Sequence, residues 1–363
     1  MSPRAEDARR ATPPGAPERA AASLAYFGNR LQAHDRTPTV IDSLAELLRG
    51  DFHVVTASDQ HNQALRLLDM VRVLWRERRC DFVLIDTYST RAFHYAVILG
   101  ALCRRLGIRY VPIVHGGALA ERLARSPRRS RRLFSGAWAI VAPSPYLQAV
   151  FARHGHPAKV IPNPLALERY DFAERPRPRA RLLWVRALDR LYDPEMAVRV
   201  LARLDQRHPD ATLCMVGPDK DGSAERVRAL ADRMGVAARL RMTGRLEPEA
   251  WRRLSRDYDV FLNTTTVDNA PVSVVEAMAL GLPVVSTAVG GIPYLIEDGV
   301  DGLLVPAGDD AAMAASVERL IERPDVALSV SRAARRKADD FDAERVRQAW
   351  RRLLLGRATE SAP

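Results

Sequence analysis

The chain has 363 residues, of which 47% are hydrophobic and 27% charged, values typical of a globular protein. This length exceeds one ordinary hydrophobic core and suits two domains. No apolar run reaches the roughly 18–20 residues of a membrane-spanning helix, so the sequence predicts none. The net charge of +11 would attract phosphorylated ligands, anionic lipid or nucleic acid, although an arginine-rich composition can equally reflect genomic bias.

The first residues and the cysteines indicate a cytoplasmic protein. Residues 1–22 are rich in Pro, Arg and Ala and lack the apolar centre of a secretory signal, which predicts a disordered tail. Cys80, Cys103 and Cys214 are far apart in apolar surroundings. We expect reduced core residues there, not disulfides or metal ligands.

From residue 23 to 164, short apolar runs alternate with longer helical patterns, which predicts a parallel sheet covered by helices. The predicted strands are 24–27, 52–57, 82–86, 110–115 and 139–142. The predicted helices are 39–48, 63–75 and 92–106. The sequence therefore predicts a first Rossmann-like domain over residues 23–164.

A stretch rich in Pro and Arg, residues 165–181, lacks periodicity and is interpreted as a linker. A second Rossmann-like domain is predicted over 182–340, followed by a C-terminal helix, 341–357, that could pack back on the first domain. Its predicted strands are 182–185, 212–216, 240–242, 260–262, 284–285 and 303–305.

The fold class is thus α/β, with two doubly wound domains that face each other across a cleft. Ligands of such sheets bind beyond the carboxyl ends of the strands. The sequence contains no G-x-G-x-x-G, which argues against a dinucleotide dehydrogenase.

The segment 267–285 carries the strongest chemical signal. Two acids, Asp268 and Glu276, flank a predicted helix start at which Asn269 could be the N-cap and Pro271 could occupy the first turn. Free N–H groups and the positive dipole end of such a helix suit a diphosphate, and the carboxylates can accept hydrogen bonds from sugar hydroxyls. A capped surface helix would also explain Asn269 and Pro271, but the strand and glycine turn that follow favour a sugar-nucleotide site.

The block EAMALGLPVVSTAVGGIPYLIEDGVDGLLVPAGD, 276–309, closely resembles the C-terminal half of the family-four retaining glycosyltransferases of the GT-B fold. In that family, a carboxylate, seven intervening residues and a Glu form the donor-sugar signature. Here Asp268 replaces the usual first Glu, and Asn269-Ala270-Pro271-Val272 replace the usual Gly-Phe-Gly segment.

The resemblance assigns roles to residues of the C-terminal half. It implies that Glu276 holds the ribose, that Asp268 holds the transferred sugar, and that Arg186 grips the diphosphate together with the N–H groups of 270–272. The family usually has a Lys about five residues after that Arg; Leu191 and Tyr192 occupy the region here, and Arg190 is the nearest substitute. Gly217 and Leu246 would line the nucleotide end of the cleft.

Candidates in the N-terminal half lie where predicted strands end. His115 and Gly116 follow the strand 110–115, and the resemblance implies that this His contacts the donor sugar. Gly28 and Asn29 follow the first strand and match a loop beneath donor and acceptor. A structural role for these residues is the competing interpretation.

Six arginines lie between Arg122 and Arg132, flanked by Leu123, Leu133 and Phe134. This pattern predicts peripheral contact with an anionic membrane at its inner face, or with a phosphorylated acceptor; a solvated loop is the alternative. Nucleic acid is not expected, because few aromatic side chains accompany the arginines.

The resemblance implies a hexosyltransferase that moves a sugar from a nucleoside diphosphate to an acceptor hydroxyl, with retention and without metal or cofactor. Its setting would be the assembly of surface polysaccharide or glycolipid, with a lipid-linked acceptor favoured by the basic stretch. The alternatives are an epimerase or phosphorylase of the same fold, or a degenerate binding member.

Overall fold

The computed structural model describes residues 22–28, 40–60, 62–90, 92–116 and 119–356. Apart from Ala22, the predicted tail 1–22 lies outside the described residues, as does Asn29. The strands are β1 (Ser23–Phe27), β2 (His53–Ala57), β3 (Phe82–Tyr88), β4 (Arg109–His115), β5 (Val141–Ala142), β6 (Lys159–Val160), β7 (Arg181–Val185), β8 (Thr212–Val216), β9 (Leu240–Gly244), β10 (Val260–Asn263), β11 (Val284–Thr287) and β12 (Leu303–Val305).

Helices connect these strands. They are α1 (Val40–Leu48), α2 (Gln63–Arg76), α3 (Ala92–Leu106), α4 (Leu119–Arg125), α5 (Pro127–Phe134), α6 (Pro145–Arg153), α7 (Pro194–Leu204), α8 (Ser223–Arg233), α9 (Pro248–Leu254), α10 (Val272–Ala279), α11 (Ile292–Leu295), α12 (Asp310–Glu322), α13 (Pro324–Ala338) and α14 (Ala343–Leu355). Every strand predicted from an apolar run is present, and the short β6 is an addition.

The N-terminal sheet is parallel, with strand order β2-β1-β3-β4-β5-β6. Its core is divided by the sheet: α2 to α6 pack on one face, and α1 and α14 pack on the other. The chain reverses its direction of winding between β1 and β3, so a crevice is expected at the carboxyl ends of these strands.

The C-terminal sheet is also parallel, with order β12-β11-β10-β7-β8-β9. Numbered from β7, this is the order 3-2-1-4-5-6 of the Rossmann fold, and its switch point lies between β7 and β10. The two sheets confirm the predicted α/β class with two doubly wound units.

Two stretches of chain connect the halves, and they lie side by side. The N–H of Leu165 donates to the carbonyl of Phe341 at 2.7 Å, and the N–H of Ala343 donates to the carbonyl of Leu165 at 3.0 Å. After the second crossing, α14 buries Trp350 and Leu354 in the core that contains α1 and β1. The N-terminal half is therefore completed by a helix that follows the entire C-terminal half in sequence.

Candidate functional site

Arg186 stands directly after β7, at the switch point of the C-terminal sheet. Its backbone N–H donates to the carbonyl of Val216 at 3.0 Å, which fixes the start of the loop. A Cβ at Gly217 would collide with the Arg186 carbonyl, so glycine is needed there for this close approach. Gly217, expected to line the nucleotide end, thus also has a structural reason to be glycine.

The Arg186 side chain is the central cation of the site. It forms an ion pair with Asp268, and its guanidinium carbon lies 4.4 Å from the ring centroid of Tyr192. Burial lowers the pKa of this guanidinium, which nevertheless stays charged at neutral pH. Its Nε is buried and has no hydrogen-bond partner among the described residues. A buried donor without a partner is costly unless a ligand supplies the acceptor.

Helix α10 begins beside this cation, but not as the sequence predicts. It starts at Val272, with Pro271 in the N-cap position and no side-chain cap. The Asn269 cap is therefore wrong, because its Oδ1 accepts a 2.5 Å hydrogen bond from the Ser144 hydroxyl of the N-terminal half. Val272, the first residue of the helix, is 49% exposed.

The first turn of α10 presents unsatisfied donors. Within the described part of the chain, nothing accepts a hydrogen bond from the N–H groups of Ala270, Val272 or Ser273. The hydroxyl of Ser273 is buried and also lacks a described partner. These groups, together with Arg186, form a cradle of positive potential that suits an anion.

Glu276 lies one turn further along α10. Its Oε1 accepts a 2.6 Å hydrogen bond from the Tyr170 hydroxyl, and the Arg252 guanidinium packs 5.1 Å from the Tyr170 ring centroid. Burial raises the pKa of Glu276 to about 7, although the Tyr170 hydrogen bond and Arg252 oppose the rise. The carboxyl is therefore held in one orientation and titrates near neutrality.

The two glycines after β11 hold the loop that carries the first acid. The N–H of Gly291 donates to the Asp268 carbonyl at 2.9 Å. A Cβ at Gly290 or Gly291 would collide with the backbone of Asp268 or Asn269. This turn permits backbone to approach backbone, and so fixes Asp268 against Arg186.

Two other predicted residues lie away from this cluster. Arg190 is exposed, and its Nε lies 3.8 Å from Asp221 rather than beside the Asp268 carboxylate. It does not replace the missing Lys in this structure, because the short helical turn 190–192 directs Tyr192, not Arg190, at Arg186. Leu246 follows β9 and packs on the core that contains Trp251.

In the N-terminal half, His115 is buried at the end of β4. Its Nε2 lies 2.8 Å from Oδ1 of Asp86 on β3, and its ring stacks on Tyr88 with centroids 4.8 Å apart. The same Asp86 oxygen accepts a 2.9 Å hydrogen bond from the Tyr26 hydroxyl. Since an ionised carboxylate only accepts, Nε2 of His115 carries the hydrogen, and Nδ1 is left as the acceptor when the ring is neutral.

The two predicted glycines of the N-terminal half, Gly28 and Gly116, differ in their surroundings. A Cβ at Gly28 would collide with the Asp86 carboxylate, so the end of β1 leaves room for that acid. Gly116 has a φ of 86°, and a Cβ there would meet no atom within 4 Å. Asn29, predicted beside Gly28, lies outside the described residues.

The side chains of the two clusters that were not predicted as site residues include Tyr26, Asp86, Tyr88, Tyr170 and Tyr192. Asp86 had a usable signal, because it is an acid at the end of the buried run FVLID. Tyr170 and Glu276 are 106 residues apart, and no local pattern relates them.

The halves meet at the Ser144–Asn269 hydrogen bond and at Tyr146 and Tyr294, whose ring centroids are 5.6 Å apart. A cavity of about 320 Å³ opens between them, lined on the two sides by Ser144 and Asn269, among others. The Ser144 hydroxyl also caps α6, because it accepts a hydrogen bond from the N–H of Leu147. The cavity therefore lies next to the start of α10, where Asn269 and Ala270 line it.

The arginine-rich segment differs from its prediction. Leu123, Leu133 and Phe134 are buried in the N-terminal core, so they cannot enter a membrane. Arg122 donates to the carbonyl of Ser89 at 2.7 Å and packs on Phe93. The other arginines of the segment are exposed.

None of the described helices is both long and apolar enough to span a bilayer. Among the described residues, no three His, Cys, Asp or Glu side chains come together as metal ligands. Metal independence stays a prediction.

Two family models match the chain in sequence. The model of the family-4 glycosyltransferases matches residues 22–169, and the model of the group-1 glycosyl transferases matches residues 170–337. The boundary between the matches falls where the chain first passes between the two sheets.

Curated relatives include the D-inositol 3-phosphate glycosyltransferase of Corynebacterium jeikeium, 29% identical over 47% of this chain and 42% of that protein. The putative colanic acid biosynthesis glycosyltransferase WcaL of Salmonella typhimurium is 32% identical over 36% of this chain and 34% of that protein. The amylovoran biosynthesis glycosyltransferase AmsK of Erwinia amylovora is 30% identical over 68% of this chain and 64% of that protein. The match thus spans from about one third to two thirds of these relatives.

Solved structures share the whole architecture. HepE of Anabaena, crystallised with UDP, has a TM-score of 0.72 and 18% identity, over 94% of this chain and all of that one. The sucrose-phosphate synthase of Thermosynechococcus elongatus has a TM-score of 0.76 and 17% identity, with the same coverage. With both family models matched in succession and both sheets shared, the chain belongs to the family-4, group-1 glycosyltransferases of the GT-B fold.

Proposed function

We propose that this protein is a retaining glycosyltransferase that moves a sugar from a nucleoside-diphosphate donor to an acceptor hydroxyl. The observation that carries the proposal is the unpartnered, buried Nε of Arg186 beside the free N–H groups at the start of α10. A diphosphate would supply acceptors for both. HepE binds UDP in its crystal, which supports a nucleotide donor for a protein of this fold.

The acid next to Arg186 pairs with the group that we propose for the phosphate. Asp268 forms an ion pair with the Arg186 guanidinium. A diphosphate would take over Arg186, and Asp268 would then be free to accept hydrogen bonds from hydroxyls of the transferred sugar. Glu276, held by Tyr170, would accept from the ribose hydroxyls.

His115 would contribute from the opposite half. Asp86 fixes the hydrogen on Nε2, so Nδ1 can accept a hydrogen bond from a sugar hydroxyl across the cleft. This pair orients the imidazole by a buried carboxylate, and so a donor sugar would meet a ring of defined tautomer. His115 would act as a positioning group, with no covalent step assigned to it.

Catalysis would come from stabilisation of the leaving diphosphate. As the bond from sugar to phosphate breaks, negative charge grows on phosphate oxygens near Arg186 and the start of α10, where fixed donors stabilise it most. In the front-face reaction that the family resemblance implies, the leaving phosphate accepts the proton of the acceptor. We therefore assign no protein nucleophile, and we propose that no metal is needed.

The first experiment measures thermal stability with UDP-, GDP-, ADP- and TDP-sugars and the free diphosphates, without metal. Ligand at about 100 times its dissociation constant adds about 2.7 kcal/mol to the free energy of unfolding. We expect a shift with one nucleotide family, its loss in Glu276→Ala, and its retention in the matched control Glu225→Ala. No shift with any nucleotide would contradict the proposal.

Product analysis separates the alternatives. A retaining enzyme yields a glycoside whose anomeric configuration is that of the donor, which NMR measures. A metal-independent enzyme yields the same product in EDTA as in buffer. An epimerase would convert the nucleotide sugar without an acceptor. A degenerate member would show the thermal shift but no turnover, and Asp268 and the missing Lys give that outcome a structural basis.

The acceptor is proposed from the relatives' names. WcaL and AmsK are named for colanic acid and amylovoran biosynthesis, which supports assembly of surface polysaccharide or glycolipid. We propose a lipid-linked acceptor and a location at the cytoplasmic side of a membrane. Because the apolar residues near Arg122–Arg132 are buried, those arginines could supply charge to such a contact but not insertion.

A further inference from the structure

The surface of the N-terminal half has one face built by three neighbouring helices. α2, α3 and α5 pack on the same side of the sheet, where Met70, Phe93 and Leu133 share one core. Because their inward sides meet that core, their outward sides form one continuous surface. We name this surface, formed by the exposed residues of α2, α3 and α5, the helical face.

The helical face exposes an apolar stripe. Leu65, Leu68 and Trp75 of α2 are 53%, 65% and 62% exposed, the highest values for large hydrophobic side chains in the described part of the chain. Their spacing of three and seven residues places them along one side of the helix. Ile98 of α3 is also exposed. An apolar patch of this kind marks an interaction surface.

The same face is strongly cationic. α2 contains three arginines, α3 two and α5 four, whereas the acidic residues of these helices are limited to Asp69. The following arginines of the helical face are exposed and form no ion pair with any described residue: Arg72, Arg105, Arg128, Arg131 and Arg132. Charge and apolar surface therefore coincide.

A groove between α3 and α5 combines the two properties. It has a volume of about 460 Å³, with Val97, Ile98 and Leu102 in its walls and Arg105 and Arg132 at its rim. Arg104 is not available there, because it donates to the Tyr110 hydroxyl and to the Arg132 carbonyl. Apolar walls with a cationic rim suit an acyl chain attached to an anionic headgroup.

We propose that the helical face docks the protein on an anionic phospholipid bilayer, with α2 lying in the interface and Leu65, Leu68 and Trp75 inserted. Trp and Leu beside arginines are the composition of helices that lie in a membrane interface. The surface goes beyond the predicted segment 122–132, since the inserting residues belong to α2.

Other occupants fit less well. A second copy of this chain in a twofold contact would place the same arginines against each other. The chain's own residues 1–21 carry Arg4, Arg9, Arg10 and Arg19 against three acids, so they offer no surplus negative charge. The bilayer satisfies both the charge and the apolar stripe.

The test is co-sedimentation of the full chain with vesicles, which needs no donor or turnover and so can fail independently of the proposed function. We expect binding to phosphatidylcholine vesicles with 30% phosphatidylglycerol and weak binding to pure phosphatidylcholine. Binding should fall as salt rises. Leu68→Gln with Trp75→Gln should lower the partition at least tenfold, and Arg72→Gln with Arg105→Gln about fivefold per arginine.

The matched control is Met234→Gln with Val300→Gln, which removes two exposed apolar side chains of the C-terminal half. It should bind as the wild type does, and all variants should keep the wild-type melting temperature and donor-induced thermal shift. Equal binding to both vesicles, or equal loss in the control, would overturn the proposal. So would a wild-type dimer in light scattering that the α2 variant dissociates, or wild-type binding that appears only after removal of residues 1–21.

Discussion

The two halves present their hydrogen-bonded or ion-paired side chains in opposite states. Asp86 and His115 in the N-terminal half satisfy each other, with Tyr26 and stacked Tyr88 around them. Arg186 in the C-terminal half pairs with Asp268 but keeps a buried Nε without a described partner. The first pair is satisfied within the protein, whereas the second leaves a buried donor for the anion that we propose. In that proposal the C-terminal half binds charge and the N-terminal half orients the sugar.

Removal of the incomplete cation should have the largest effect. In Arg186→Ala, we expect kcat/KM to fall about 10²- to 10³-fold, because a charged donor to the leaving group is lost in the transition state. Arg190→Ala is the matched control, since Arg190 is exposed and pairs with Asp221. Steady-state kinetics with the donor identified by thermal shift measure both. Equal losses of kcat/KM in the two variants would contradict the proposal that Arg186 stabilises the leaving diphosphate.

Asp86→Asn tests whether the N-terminal pair only orients. The amide can donate where the carboxylate only accepts, so His115 would lose its fixed tautomer. We expect kcat to fall about 10- to 100-fold, a loss of the size seen when the carboxylate partner of a metal-ligating histidine is removed. The donor-induced thermal shift should stay. Tyr26→Phe, which keeps the pair, should change kcat far less; a lost thermal shift in Asp86→Asn would assign donor binding to this half.

The protonation of Glu276 in the C-terminal half should make both donor affinity and stability depend on pH. With a pKa near 7, Glu276 is mostly protonated at pH 6, so the donor dissociation constant should rise about tenfold from pH 8 to pH 6. Stability should change in the opposite direction. The folded state binds this proton more tightly than the unfolded state, whose Glu pKa is about 4.3. The free energy of unfolding therefore decreases from pH 4.5 to above pH 7, by up to about 3 kcal/mol.

Glu276→Gln should remove both pH effects, measured by calorimetric titration and by denaturant unfolding. Tyr170→Phe is the graded control: it deletes the hydrogen bond that favours the ionised carboxylate, so both transitions should move to higher pH. A flat affinity between pH 6 and pH 8 in the wild type would contradict the assignment of Glu276 to ribose.

The smallest expected effect comes from Gly28→Ala. The new methyl group would press on the Asp86 carboxylate, a crowding that costs about 1–3 kcal/mol of stability and shifts His115. We expect a severalfold lower kcat and a lower melting temperature. In Gly50→Ala the nearest atom lies at 3.6 Å, so that control should leave kcat unchanged. Unchanged kcat in both variants would mean that activity does not depend on the exact positions of Asp86 and His115.

The sequence predicted the strands well, because strands buried on both faces of a parallel sheet are continuous apolar runs. β6 was not predicted because Lys159-Val160 contains a single apolar residue and so forms no apolar run. Within the site, Asp268 and Glu276 could be found because they lie eight residues apart, and Arg186 because it follows a strand. The interpretation of their roles still rests on resemblance and proposal.

What the sequence could not supply depends on contacts between distant residues. Asn269 has the preferences of an N-cap, but Ser144, 125 residues earlier, takes its side chain. Likewise the apolar residues beside the arginine cluster could face either lipid or core, and only packing decides that they are buried. Local rules fail where a tertiary partner competes for the same atoms.

The position of α14 has a consequence for biosynthesis. This helix fills one face of the N-terminal core with Trp350 and Leu354, and Arg347 and Arg351 form ion pairs with Asp51 at 2.9 and 3.1 Å. During translation, that face stays uncovered while almost three hundred further residues are added after α1. The C-terminal half can therefore fold on the ribosome before the N-terminal half is complete. A nascent chain stalled before residue 343 would expose an apolar surface to chaperones.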